Sequence, residues 1–110
     1  MPNLKIAYSP KVEQYFSTNR ELVEIAKTDF TDVAAIVLSS GDVGEYLGRI
    51  QATKFGVPVF VVQTEEQQVD PKFYDSIYHI QDLNGYDIKL YSRQIETAAK
   101  LYEEKMLPPF

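Results

Sequence analysis

Val33-Ala34-Ala35-Ile36-Val37-Leu38 is an apolar run without a polar break. A half-exposed strand alternates between apolar and polar residues, and this one leaves no face for water. Such a run predicts a central parallel strand covered by helices on both sides. It ends in Ser39-Ser40-Gly41-Asp42. Ser40 and Asp42 read as helix caps. Asp42 with Glu45 three residues on has the form of a capping box, with Asp in the Ser/Thr place. Val43, Tyr46, Leu47 and Ile50 then form the stripe of a helix closing near Phe55-Gly56. Gly41, Gly44 and Gly48 suit a cap and close helix packing better than a nucleotide fingerprint. A second buried run follows, Val57-Pro58-Val59-Phe60-Val61-Val62. Its proline is tolerable only at the start, where a ladder donor can be spared.

Working outward, Leu4-Lys5-Ile6-Ala7-Tyr8 predicts a first strand. Ser9-Pro10 then supplies a cap and an initiating proline for a short amphipathic helix carrying Val12, Tyr15 and Phe16. Glu21 to Ile25 alternates like an edge strand. The connection after it is too short for a good helix. Gln63 to Asp70 reads as a solvated loop, with Asp70-Pro71 capping a short helix through Tyr74 and Asp75. Ile77-Tyr78-His79-Ile80 is a fifth strand, and Asn84-Gly85 a turn. Ile88, Tyr91, Ile95, Ala98, Tyr102 and Met106 define the stripe of a last helix, which Leu107-Pro108-Pro109-Phe110 ends. Five strands alternating with helices predict an α/β, flavodoxin-like (receiver-like) three-layer fold. Its sheet is mainly parallel, in order 2-1-3-4-5.

The chain has 110 residues, enough for one domain. Its net charge of −5 argues against a nucleic-acid backbone as partner. No window approaches the roughly 18 to 20 apolar residues of a membrane span. Met1 to Lys5 runs straight into a strand, without signal-peptide features. Absence of cysteine excludes disulfides and thiolate chemistry and fits a cytoplasmic protein.

In a doubly wound sheet, ligands bind where the strands end at their carboxyl side. That rim is Tyr8-Ser9, Ser39-Ser40-Gly41, Gln63-Thr64 and Gln81-Asp82. It lacks the acidic pair, phospho-accepting Asp and Lys of a receiver, and Asp29 and Asp32 precede the third strand, at the wrong end. Tyr8-Ser9-Pro10-Lys11 makes a poor phosphate loop, because proline removes an N–H that an anion would use. His79 is the only histidine, too little for a zinc site. Glu65-Glu66 reads as solvated charge. No catalytic, cofactor-binding or metal-binding residue is expected. Phe73, Tyr74, Tyr78 and Tyr86 cluster on short or edge elements and are candidate interface anchors. By composition and spacing, the chain is a binding, assembly or regulatory module.

Three segments carry a resemblance: Asp29-Phe30-Thr31-Asp32-Val33-Ala34-Ala35, Lys54-Phe55-Gly56-Val57-Pro58-Val59-Phe60, and Tyr102-Glu103-Glu104-Lys105-Met106-Leu107-Pro108-Pro109-Phe110. Together with Ile95-Glu96-Thr97-Ala98, they resemble the N-terminal wing domain of bacterial inducible ornithine/lysine/arginine decarboxylases, the ornithine enzymes above all. The resemblance spans the whole chain and is weakest over Glu21–Lys27 and Gln63–Asp75. It implies a flavodoxin-like wing over residues 1–106, with 107–110 starting a linker to a pyridoxal-phosphate domain. It implies a non-catalytic assembly and regulatory role within a carboxy-lyase of polyamine biosynthesis. The cofactor is then absent from this segment and present in the parent enzyme. The implied partners are the rest of the decarboxylase chain and neighbouring subunits, with a guanosine nucleotide effector at a wing interface in some relatives. Pro108, Pro109 and Phe110 join the candidate interface residues. The alternative is a free-standing receiver-like binding module without a phosphorylation site. A flavin or nucleotide carrier rests on fold analogy alone.

Overall fold

A computed structural model describes residues 4–51, 57–63, 74, 76–79 and 85–106. β3 (Val33–Ser39) is buried at every position. β1 (Lys5–Tyr8) pairs with it on one side and β4 (Val59–Gln63) on the other, both parallel. β2 (Leu22–Glu24) and β5 (Ser76–His79) complete a sheet in the order β2-β1-β3-β4-β5. This is the order read from the sequence. The doubly apolar runs occupy the middle, because only central strands lose both faces to helices. Ile36, Val37 and Leu38 are fully buried.

Pro58 lies just outside β4, and its carbonyl accepts the Ile36 N–H at 2.9 Å. The missing proline donor therefore falls where the ladder has not yet begun. α1 (Val43–Gln51) follows β3, and α2 (Gly85–Met106) packs against it. Ile95, Ala99 and Tyr102 form the buried seam of α2. Tyr91 and Ala98, expected on the same stripe, are half-buried and pack against the core. The closing stretch of α1 near Phe55-Gly56, the loop beyond Gln63, the Asp70-Pro71 cap, the Asn84 turn residue and the Leu107–Phe110 end lie outside the described residues.

Three expectations are corrected. The segment after β1 is a 3₁₀ helix, Pro10–Tyr15, and a second one, Ile25–Lys27, follows β2. Both are short, six and three residues, and such short pieces are where the tighter 3₁₀ coil is used. Ser9 makes no side-chain cap. Its hydroxyl is buried and accepts the Ser39 N–H at 3.3 Å instead. Third, the coil starts at Ser40 as a 3₁₀ turn, Ser40–Asp42, and runs directly into α1. Asp42 thus lies inside the first turn rather than flanking it, and its carboxylate accepts the Ser39 hydroxyl at 2.8 Å.

The glycines of α1 also differ from expectation. A Cβ built at Gly44 or Gly48 meets nothing within 4 Å, so no close packing explains them. Glycine in a helix interior costs roughly 1 kcal/mol relative to alanine. Gly44→Ala and Gly48→Ala should therefore each stabilise the domain by about 0.5–1 kcal/mol in urea unfolding. Destabilisation would show that something in the folded domain approaches this face.

Candidate functional site

The carboxyl rim of the sheet is where a ligand would bind in this fold. Its described polar groups are turned toward one another. Ser9, Ser39 and Ser40 are buried. Ser9 N–H donates to the Val37 carbonyl at 3.0 Å and Ser9 Oγ accepts from Ser39, while Ser39 Oγ donates to Asp42. Tyr8 stacks edge-on against Phe16, with ring centroids 6.5 Å apart. Partial burial pushes the Tyr8 phenol above its ordinary value, with Glu13 and Glu24 adding to the shift. The Ser-Ser-Gly segment is thus spent on joining β1, β3 and α1.

At the opposite end of the sheet, Asp29-Phe30-Thr31-Asp32 makes a tight turn into β3. Thr28 Oγ1 accepts the Phe30 N–H at 3.1 Å, and the Asp29 carboxylate accepts the Thr31 N–H and hydroxyl at 3.1 and 2.7 Å. Phe30 adopts a left-handed backbone, φ 68°, which costs a non-glycine residue about 1–2 kcal/mol. Its ring is buried, and that burial offsets the strain. Asp32 accepts the Lys5 N–H through its carbonyl at 2.8 Å and pairs with Lys5 Nζ at 3.2 Å. The hydrogen bond to Asp32 foremost, then the charges of Asp32 and Glu21, raise the Lys5 pKa. An open depression of about 530 Å³ lies here, lined by Lys5, Lys27, Thr28, Asp29 and Asp32 among others. Both of its lysines are already paired, Lys27 with Glu24 at 2.6 Å.

The densest polar constellation centres on Arg20, which the sequence reading overlooked. Its side chain is only 5% exposed. Nε and Nη2 donate to the Glu96 carboxylate at 2.8–3.0 Å. Nη2 also donates to Glu103 Oε1 at 2.5 Å, and Nη1 donates to the Leu4 carbonyl at 2.9 Å. Glu103 Oε2 accepts the Leu4 N–H at 2.9 Å. This clasp joins the start of β1, the segment before β2 and two turns of α2. The Arg20 hydrogen bond, above all, holds the Glu103 carboxyl below its ordinary value, against the opposing effect of burial. The same partners raise Arg20 further. Glu96 and Glu103 stand seven residues apart, two helical turns, beside the Ile95–Ala99–Tyr102 seam. That spacing of carboxylates along a buried edge was the available signal.

The interface candidates are dispersed. Tyr74 is half-buried and packs on the core. Tyr78 and His79 belong to β5, where His79 is in register with Gln63, and Tyr86 belongs to α2. Phe73, Pro108, Pro109, Phe110, Glu65 and Glu66 lie outside the described residues. Among the described residues, no group of three metal-ligating side chains gathers. No described helix is long and apolar enough to cross a membrane.

Residues 4–102 match the family model of the Orn/Lys/Arg decarboxylase N-terminal domain. The chain belongs to that family. It is 94% identical over its whole length to an ornithine decarboxylase of Haemophilus influenzae. It is 40% identical over 98% of its length to an inducible ornithine decarboxylase of Lactobacillus sp., and 39% identical to that of Escherichia coli over all of it. The chain spans 15% of the length of each of these relatives. The three segments that carried the resemblance include the Phe30 turn and Glu103, so a tight turn and the clasp underlie two of them.

Cutting the clasp should cost about 3 kcal/mol, because it leaves the largely covered Glu103 carboxylate, 12% exposed, without its cation. Arg20→Met is the variant, read by chemical denaturation at pH 7. Glu103 also sets a pH dependence. Its folded pKa is depressed, so its contribution is present above its unfolded pKa, near 4.5. That contribution is lost as pH falls through the lower folded value. The wild type should lose stability across that acidic window, and Glu103→Gln should flatten the loss.

Proposed function

We propose that this chain is the N-terminal assembly and regulatory domain of an ornithine decarboxylase and does no chemistry itself. The observation that carries the reading is the 94% match over the whole chain to 15% of such an enzyme. Physical chemistry supports it. Decarboxylation of an amino acid needs an electron sink, which pyridoxal phosphate supplies in the parent enzyme. The described residues do not fit that cofactor. A Schiff-base lysine is desolvated, with a lowered pKa. Here no described lysine is buried, and Lys5 and Lys27 are paired with carboxylates that raise their pKa values. The described part of the rim suits a phosphate poorly, since Pro10 removes a donor and Asp42 brings negative charge.

On this reading the domain works in the cytoplasm, and its partners are the rest of the decarboxylase and neighbouring subunits. Phe73, Tyr74, Tyr78, Tyr86, Pro108, Pro109 and Phe110 are proposed contacts with them. A guanosine nucleotide effector at an interface belongs to the same proposal. Its interfacial site would be incomplete in the isolated chain, so little thermal shift is expected there. The fold would equally serve a free-standing receiver-like module, but the whole-length match to a decarboxylase segment favours the domain reading.

The test is carbon dioxide release from ornithine with pyridoxal phosphate present. The purified chain should release none, and the complete enzyme should turn over. Deleting residues 1–106 from the complete enzyme should reduce the size of its assemblies in sedimentation. Turnover by the purified chain would overturn the proposal.

A further inference from the structure

We draw no further inference here: the strongest candidate, the open polar groove between the Ser17-Thr18-Asn19 segment and α2, walled by Lys89 and Arg93, carries nothing because no feature of the structure shows what fills it and an anion there would fall within the effector proposal already made.

Discussion

Arg20 is the charged side chain that the described fold buries, and burying a guanidinium without partners would cost several kcal/mol. Two carboxylates and a backbone carbonyl complete its coordination. Because those partners come from α2 and from the start of β1, the clasp has one productive geometry. α2 must lie at a set rotation and height against the sheet, and the chain must enter β1 beside it. The Ile95–Ala99–Tyr102 seam alone would tolerate some sliding along β3, since apolar contact is non-directional. A forked cation held by carboxylates two helical turns apart would not.

That constraint has a consequence for the outer face of α2. The rotation that turns Ile95, Ala99, Tyr102, Glu96 and Glu103 inward turns Leu90, Leu101, Arg93 and Lys100 outward. The outer face is therefore presented by a rigid, pinned helix rather than a loosely docked one. At the carboxyl rim the serines and Asp42 are consumed in joining strands to helix. The polar groups at both ends of the described sheet thus serve the architecture.

Much of the architecture was legible in the sequence. The apolar run of β3 and that of β4 announced central strands, and Pro58 fell where a strand start predicts. The acidic and hydroxyl residues of the Asp29–Asp32 turn are close along the chain, but the sequence reading placed Asp29 and Asp32 only ahead of the third strand and missed the turn. Other features depend on distant pairing. Arg20 meets Glu96 and Glu103 from 76 and 83 residues away, and no local pattern reports such a meeting. Phe30 holds a backbone conformation that its residue type seldom adopts, fixed by burial of its ring. Gly44 and Gly48 suggested close packing by their spacing, but spacing does not reveal whether anything stands opposite.

On the proposed function, the chain is one domain of a longer decarboxylase and leaves the chemistry to the rest. The most direct measurement is to read the gene onward from codon 110. An open frame of several hundred codons, entering a domain with a pyridoxal-phosphate lysine, is the expected result. A stop codon after Phe110 would contradict it and leave the likeness to decarboxylases as one of ancestry.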